Sequence, residues 1–159
     1  MPHIRGVAIR EGSAADWKPA LELAWKVYNE YDAGDYSPEG TENFKKFLGD
    51  DTLEKMFLMG SYRLFVAELY GRIVGMITLR EKAHISLLFV DGNCQGNGIG
   101  SALVRMAAGC IGVENRGNVL TVHSSPRAVD FYRNLGFRIT GEEKFQDGIR
   151  FTPMELRLG

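Results

Sequence analysis

The sequence is poor in the residues that build disulfide frameworks and metal clusters. Only two of its 159 residues are cysteine and three are histidine. Two cysteines, Cys94 and Cys110, cannot make the several crosslinks of a small secreted domain. The cysteines and histidines are not spaced as metal ligands either, so no metal is expected. A reducing, cytoplasmic setting is therefore the default expectation.

Long apolar runs and an excess of one charge are also missing. No stretch approaches the ~18 apolar residues of a membrane span, and MPHIRGVAIREGS at the start lacks the apolar core of a signal peptide. The net charge is −1, so neither nucleic acid nor a membrane is an expected partner. An apolar content of 45% and a charged content of 25% are those of an ordinary globular protein. The length predicts a single domain over residues 1–159.

Lysine is missing from residues 83–143, and this absence helps to interpret a glycine-rich loop. Residues 84–90 form an apolar run that predicts a buried strand, and QGNGIG (residues 95–100) follows shortly before amphipathic sequence. A strand, a glycine loop and a helix in this order suit phosphate, because the first N–H groups of a helix are unpaired and electropositive. A P-loop requires Gly-Lys-Ser/Thr, and a dinucleotide fingerprint requires glycine where this chain has Ser101. Both of those sites are excluded.

Two segments together resemble the GCN5-related N-acetyltransferase (GNAT) superfamily. Residues Gln95, Gly98 and Gly100 fit the pattern Gln/Arg-x-x-Gly-x-Gly/Ala, which is the acetyl-CoA pyrophosphate loop of that family. Residues 119–137 read VLTVHSSPRAVDFYRNLGF and resemble the second family signature, Ala-x-x-Phe/Leu-Tyr-x-x-x-Gly-Phe. The positions that match it are Ala128, Phe131, Tyr132, Gly136 and Phe137. The order and separation of the two segments also fit the family.

Apolar spacing predicts the remaining elements. A strand is expected over residues 4–10, and Ser13 is expected to cap a helix that begins near Ala14. Residues 29–40 are acidic and rich in turn formers, so they predict a loop. Further helices are predicted over residues 41–48, 52–59, 98–110 and 126–135, and further strands over 63–70, 72–79, 84–90, 118–123, 137–140 and 150–156. The last two strands would surround a loop that contains Asp147-Gly148.

This order of elements predicts a mixed α/β (α+β) fold with helices on both faces of a central sheet. The resemblance to the GNAT superfamily adds that the sheet is mixed and mostly antiparallel. It also implies that the two parallel middle strands splay apart and that acyl-CoA enters the gap between them.

The resemblance implies a donor site around the glycine loop. The backbone amides of the loop would bind the pyrophosphate of acetyl-CoA, with the Gln95 side chain as an added donor. The strand end at residues 87–90 would pair with the pantetheine arm, and one of its N–H groups would polarise the thioester carbonyl. Ser125 replaces an asparagine that contacts pantetheine in many members, and is expected to cap the next helix; it could also contact CoA. The implied cofactor-binding residues are Leu88, Phe89, Val90, Gln95, Gly96, Asn97, Gly98, Ile99, Gly100, Ser101 and Ser125.

Tyr132 is the expected general acid, because the resemblance implies that its phenol protonates the departing thiolate. The general base stays open. An imidazole suits proton transfer near neutral pH. His123 ends its strand beside the splay, whereas His84 opens its strand roughly 20 Å from Val90 at ~3.3 Å per residue. His123 is therefore preferred, with Glu30 as a rival.

The acceptor is expected beside an acidic segment that contains no lysine or arginine. This segment suits a cationic amine such as a polyamine, a lysine side chain or an aminoglycoside, or it is a solvated loop. Three tyrosines could line a pocket there or simply pack. The acidic residues are Glu30, Asp32, Asp35 and Glu39, and the tyrosines are Tyr28, Tyr31 and Tyr36.

The expected activity is direct transfer of an acetyl group from acetyl-CoA to a primary amine of a small molecule or peptide. The transfer would occur in a ternary complex, without a covalent acyl-enzyme and without a metal. A monomer or homodimer is expected. One alternative is a non-catalytic module that binds or senses acyl-CoA. Another is an enzyme that uses the loop for a nucleotide phosphate.

Overall fold

A computed structural model describes residues 5–81, 83–114 and 119–158, except the side chains of residues 113 and 114. The described residues form an eight-stranded mixed sheet with the order β1-β2-β3-β4-β5-β8-β6, and β7 pairs with β8. The strands are β1 (Val7–Glu11), β2 (Tyr62–Leu69), β3 (Arg72–Arg80), β4 (His84–Val90), β5 (Val119–Ser124), β6 (Arg138–Ile139), β7 (Lys144–Gln146) and β8 (Ile149–Arg157). The α-helices are α1 (Trp17–Val27), α2 (Pro38–Leu48), α3 (Asp51–Leu58), α4 (Ile99–Glu114) and α5 (Val129–Asn134).

The two faces of the sheet carry separate apolar layers. In β2, Phe65 belongs to the layer formed with α4, whereas Leu64 and Val66 belong to the layer formed with α1. This alternation follows from the period of two along a strand. In α4, Leu103 is fully buried, and burial of such a side chain contributes about 1.5–3 kcal/mol. The expected mixed sheet with helices on both faces is confirmed.

The middle of the sheet opens where β4 and β5 separate. These two strands are parallel, and in the described part of the chain they pair at His84–Thr121 and Ile85–Val122 alone. Toward their C-terminal ends, at Val90 and Ser124, the two strands have no further pairing with each other among the described residues. The splayed pair that the resemblance implied is therefore present.

A bulge in β4 changes which way the diverging strand end points. On β3, Thr78 pairs with Leu87 and the next residue, Leu79, pairs with Ile85. Ser86 is therefore an extra residue in β4. Ile85 and Leu88 consequently pack on the same face of the sheet although they are three residues apart.

The loop predicted over residues 29–40 is wrong for most of its length. Helix α1 continues into a π-helical turn (Tyr28–Asp32) and a 3₁₀ turn (Ala33–Asp35), and α2 begins at Pro38 rather than at residue 41. Proline is well suited to a first helical position, and the Ser37 hydroxyl accepts a hydrogen bond from the Gly40 N–H at 3.0 Å. Both features make this helix start earlier than its apolar residues indicated.

The loop predicted between the last two strands is also partly wrong. Residues 144–146 form β7, which pairs with β8 through the two-residue turn Asp147-Gly148. Both turn residues have positive φ, 55° and 80°, as a type I′ hairpin turn requires. The strand expected over residues 137–140 shortens to β6.

The other predicted elements are present with small changes of boundary. The Ser13 N–H donates to the Asp16 carboxylate at 2.7 Å at the start of the first helical turn, which matches a capping box. Residues 4 and 118, where two strands were expected to begin, lie outside the described residues. Within the described ranges, no helix has the length and apolar character needed to cross a membrane.

Candidate active site

A cavity of about 580 Å³ opens between the diverging ends of β4 and β5. The strand ends, the glycine loop and the turns before α4 and α5 line one part of it. The other part is lined by residues that we call the N-terminal wall: Val27, Tyr31, Asp32, Tyr36 and Phe44. Phe44 meets Phe89 of β4 at a ring-centroid distance of 6.0 Å, so the wall reaches the strand end.

Most of the predicted site residues line this cavity together. They are Leu88, Phe89, Val90, Gln95, Gly96, Gly98, Ile99, Gly100, Ser101, His123, Ser125 and Tyr132. Asn97 and Glu30 are not among the lining residues. The Asn97 side-chain amide lies 3.1 Å from the carbonyl oxygens of Cys94 and Gln95, and Glu30 is exposed on the π-helical turn.

The glycine loop has a backbone conformation and a close packing that residues with a Cβ would not permit. Gly96 and Gly98 both have φ +80°, a conformation that glycine adopts without steric cost. A Cβ at Gly100 would approach the Phe131 ring to 3.3 Å, so this glycine permits close packing of α4 on α5. The first N–H groups of α4 lie at the positive end of the helix dipole. The loop can therefore form an anion site from the backbone alone.

The Gln95 side chain links the loop to the strand before it. Its Nε2 donates to the Val90 carbonyl oxygen at 3.0 Å. This bond joins the end of β4 to the start of the glycine loop. In this geometry the side chain positions the loop, and its direct contact with a phosphate stays a prediction.

Tyr132 brings a protonated phenol to the cavity. The residue is 4% exposed, and its hydroxyl has no hydrogen-bond partner among the described residues. Contacts with Phe131 and Phe137, each at 5.1 Å between ring centroids, hold the ring in place. Burial raises the pKa of the phenol above its ordinary value. Tyr132 therefore keeps its proton at neutral pH, as a general acid must.

The two histidines of the middle strands lie together, but His123 alone lines the cavity. Their rings are 4.7 Å apart, and the His123 ring stacks on Phe151 at 4.3 Å. Burial and the nearby Arg80 lower the pKa of His84 to about 4. Partial burial of its ring, Arg80 and Lys144 lower the pKa of His123 as well. Both imidazoles are thus neutral at pH 7, the form that accepts a proton.

Ser125 does not cap the helix that follows it, so that expectation is wrong. The turn after β5 is closed by the Ala128 N–H, which donates to the Ser125 carbonyl oxygen at 3.1 Å. The Ser125 side chain makes no capping hydrogen bond. The Ser124 hydroxyl also donates to the Ser125 carbonyl, at 2.8 Å. The Ser125 hydroxyl is therefore available to the cavity that it lines.

Cys94 is a packing residue beside the loop. It is buried, and burial together with Asp91 raises the pKa of its thiol. A raised pKa leaves little thiolate and hence little nucleophilicity. In the part of the chain that the structure describes, no group of three or more His, Cys, Asp or Glu could hold a metal ion.

Arg127 connects the N-terminal wall to the turn after β5. Its Nη1 lies 3.5 Å from Asp32 Oδ1, and its guanidinium lies 5.0 Å from the centroid of the Tyr31 ring. The Tyr31 hydroxyl packs against Gly92 in the turn after β4. The wall therefore spans the splay from one strand end to the other. Arg127 was not among the residues predicted from the sequence, where its signal is a cation directly after the Ser-Pro pair.

The tip of the β7–β8 hairpin supports the wall from behind. The Ser37 N–H donates to the Gly148 carbonyl oxygen at 3.1 Å. A Cβ on Gly148 would collide with the Ser37 hydroxyl and with the backbone of Gly40. Tyr28 adds a hydrogen bond to α2 through Thr41, at 2.7 Å between their hydroxyl oxygens. The start of α2, and with it Tyr36, is therefore fixed by a distant turn.

Comparison with known proteins gives the class of this fold and cavity. The sequence pattern of the acetyltransferase (GNAT) domain matches residues 32–158. The chain therefore belongs to the GNAT family, and the resemblance drawn from its two motifs is confirmed.

Individual relatives agree with this assignment. An uncharacterised N-acetyltransferase of Methanocaldococcus jannaschii is 30% identical in an alignment of 158 positions that covers 84% of this chain and 62% of that protein. The chain thus spans less than two thirds of that relative's length.

Two solved structures share the fold. One is a GCN5-related N-acetyltransferase described as a class-II aminotransferase, from Rhodopseudomonas palustris, with a TM-score of 0.80 and 24% identity over 95% of both chains. The other is the PaiA N-acetyltransferase of Thermoplasma acidophilum in complex with coenzyme A. It has a TM-score of 0.72 and 19% identity, over 95% of this chain and 98% of that one. At these identities the likeness shows a shared fold.

Proposed function

We propose that residues 1–159 form one domain that transfers an acetyl group from acetyl-CoA to a primary amine. The observation that carries the proposal is the meeting of the glycine loop, the splayed strand ends and Tyr132 in one cavity. The loop would hold the pyrophosphate through its amides, and the end of β4 would hold the pantetheine arm. Family membership supports the same donor.

The reaction has two steps, the attack of the amine on the thioester and the departure of the coenzyme A thiolate. The neutral amine attacks the thioester carbonyl, so an N–C bond forms and the carbonyl electrons move to oxygen. Collapse of this intermediate restores the carbonyl and breaks the C–S bond. The departing thiolate takes the proton of Tyr132, and the phenolate regains a proton that the attacking nitrogen releases through solvent. The products are an acetylated amine and coenzyme A.

The acceptor binds as an ammonium and loses one proton to become the neutral amine before it attacks, and the base that takes this first proton is assigned to His123. The second proton, which the nitrogen releases after the attack, is the one that returns to Tyr132. His123 lines the cavity, and its lowered pKa keeps the imidazole neutral at pH 7. Both His123 and Glu30, the rival, are exposed, but Glu30 does not line the cavity. A base that is exposed to solvent can act through one water molecule, so direct contact with the amine is not required.

The acceptor side is assigned to the N-terminal wall, because it faces the glycine loop across the cavity. It presents aromatic rings and one carboxylate, Asp32, which suits an amine-bearing small molecule or peptide. A cytoplasmic setting is proposed from the two free thiols, Cys94 and Cys110. A monomer or homodimer is the proposed assembly.

A thiol-release assay with a panel of primary amines tests the activity. The protein is incubated with acetyl-CoA, and free coenzyme A is measured with and without each amine. At least one amine should raise thiol release above the rate without amine and give an acetylated product by mass spectrometry. If acetyl-CoA binds but no amine is acetylated, the protein is a binding or sensing module instead. Binding of ATP or NAD without binding of acetyl-CoA would indicate a nucleotide-phosphate enzyme.

A further inference from the structure

The charged groups of the cavity are few and already paired with each other. Among the described residues that line it, Asp32 is the sole carboxylate and Arg127 the sole arginine or lysine. The other acidic residues of the segment are exposed and do not line the cavity. These are Glu30, Asp35 and Glu39.

Asp32 and Tyr31 together form part of a binding site for a cation. Asp32 supplies a carboxylate whose side chain is 18% exposed, and Tyr31 supplies an aromatic face. A cation is attracted both to a carboxylate and to the face of an aromatic ring. In this structure the cation at both groups is the guanidinium of Arg127, 3.5 Å from the carboxylate and 5.0 Å from the ring centroid.

The contact between Arg127 and Asp32 is weak enough for a ligand cation to replace it. The Arg127 side chain is 42% exposed, and the 3.5 Å approach to Asp32 is longer than a charge-assisted hydrogen bond. A half-exposed ion pair contributes little net free energy, since water solvates the released guanidinium almost as well. Asp32 is more buried and needs a cation beside it, because an unpaired buried carboxylate is costly. A ligand ammonium can therefore take the place of Arg127.

The rest of the wall is aromatic and apolar. Tyr36 and Phe44 line the cavity beside Asp32, and Phe44 contacts Phe89 at the end of β4. The nearest further carboxylate is Asp35, which helps to raise the pKa of Asp32 but is exposed and does not line the cavity, so a second ammonium inside the cavity finds no second buried carboxylate among the described residues that line it. A carboxylate on the ligand would lie in the same cavity as Asp32 and would be repelled by it, while Arg127, whose side chain is 42% exposed, offers it a solvated ion pair that contributes little.

Resting on the proposed acetyltransferase activity, we propose that the acceptor is a monocationic amine on an aromatic or aliphatic body. Its ammonium displaces Arg127 from Asp32 and Tyr31, and Arg127 is a built-in competitor for the acceptor. Asp32 and Tyr31 then determine specificity. Polyamines gain no advantage from their additional charges, and amino acids with a free carboxylate are poor acceptors.

Matched amines test the class of acceptor. Phenethylamine and phenylalanine differ by one carboxylate, and spermidine provides a polyamine. With saturating acetyl-CoA, we expect kcat/KM for phenethylamine to exceed that for phenylalanine by more than ~10-fold and to exceed that for spermidine. Equal or better turnover of phenylalanine or spermidine would overturn the inference while the acetyltransferase activity stands. Absence of acetylation with every amine would instead overturn the activity.

Substitutions test the competition directly. Asp32→Asn should raise KM for phenethylamine about 10-fold with little change in kcat. Arg127→Gln should lower KM about 2- to 5-fold, because the competitor is gone, and should have no such effect when Asp32→Asn is also present. Glu39→Gln, an exposed acidic residue of the same segment, is the matched control and should leave KM within 2-fold. A higher KM in Arg127→Gln would show that Arg127 supports the wall rather than competing with the amine. The acetyl-CoA dissociation constant and the urea midpoint of each variant separate these effects from donor binding and from misfolding.

Discussion

The two sides of the cavity are built in opposite ways. The donor side comes from two continuous segments, residues 84–101 and 119–137, each a strand followed by a turn and a helix. The N-terminal wall comes from a π-helical turn and α2. It contacts Arg127 and is supported by Gly148, both from distant parts of the chain. The donor side uses mainly the backbone, while the wall uses side chains. The donor side can thus stay the same while the side chains of the N-terminal wall change.

The largest effect is expected on the donor side, at the phenol of Tyr132. Tyr132→Phe removes the proton and keeps the ring, so kcat should fall about 100-fold or more if the phenol is the general acid. Acetyl-CoA affinity should stay within 2-fold. Tyr70→Phe is the control, since Tyr70 is 86% exposed. Steady-state kinetics with calorimetric binding separates the two quantities, and an unaltered kcat would refute the acid role.

The glycine loop should respond next most strongly, through binding rather than rate. Gly98→Val forces a β-branched residue to φ +80°, a conformation that costs an L-residue at least ~1–2 kcal/mol. The dissociation constant of acetyl-CoA should rise by about 10-fold or more. Gly109→Ala lies in α4, the helix that follows the loop, and its Cβ would meet open space. Equal affinity in both variants would remove the loop from the donor site.

The two candidate bases differ in position, since His123 lines the cavity and Glu30 does not, and their variants can therefore be compared directly. His123→Gln should lower kcat about 10-fold, less than the usual ~10²–10⁴ because solvent reaches this site and can accept the proton. Glu30→Gln should change kcat less than about 2-fold, since Glu30 does not line the cavity. The pH profile of kcat should lose its acidic limb in His123→Gln alone. The reverse ranking would transfer the role to Glu30.

The support behind the wall can be measured with two glycines of similar conformation. Gly148 and Gly71 have φ +80° and +78°, but a Cβ at Gly71 would meet nothing within 4 Å. In both alanine variants the left-handed conformation lowers the free energy of unfolding by ~1–2 kcal/mol. In Gly148→Ala the collision lowers it by about 1–3 kcal/mol more. Urea unfolding should show this difference. Gly148→Ala should also raise KM for the amine a few-fold and leave acetyl-CoA binding unchanged, whereas equal losses would mean that the hairpin does not support the wall.

The smallest effect is expected on the stability of the fold at acid pH. It involves His84, which lies at the end of β4 where β4 and β5 pair. The folded-state pKa of His84 is about 4, below its ordinary value of 6.5, so the unfolded chain binds the proton more tightly. Stability from this group is present above pH 6.5 and is lost as the pH falls toward 4. His84→Gln should therefore flatten the pH dependence of the free energy of unfolding within that window. Asp16, whose pKa is lowered to about 2 mainly by its hydrogen bond with Arg10, acts at lower pH and serves as an internal reference.

The strands, turns and helices of the proposed donor side could be predicted from the sequence because their determinants are local. The spacing of Gln95, Gly98 and Gly100 and the apolar run before them reflect a strand, a tight turn and a helix start within one segment. The position of Tyr132 on a helix beside the loop followed from the second motif. Each of these features needs only short-range geometry and a backbone that can approach a ligand.

The wall could not be predicted in the same way. Tyr31 falls at the same helical spacing as Trp17, Leu21, Ala24 and Tyr28, but the acidic and turn-forming residues around it led to the prediction of a loop. The π-helical turn packs against Gly92 and Arg127, which are far away in the sequence. The β7–β8 turn was visible as Asp147-Gly148, although its contact with α2 was not.

Hydrogen exchange of the glycine-loop amides on addition of coenzyme A is the most direct test of the donor site. We expect coenzyme A to bind and to slow exchange at residues 96–101 and at the end of β4, with no comparable protection from ATP or NAD. Binding of coenzyme A without protection of these amides, or protection by ATP or NAD alone, would contradict the assignment of this cavity as an acetyl-CoA site.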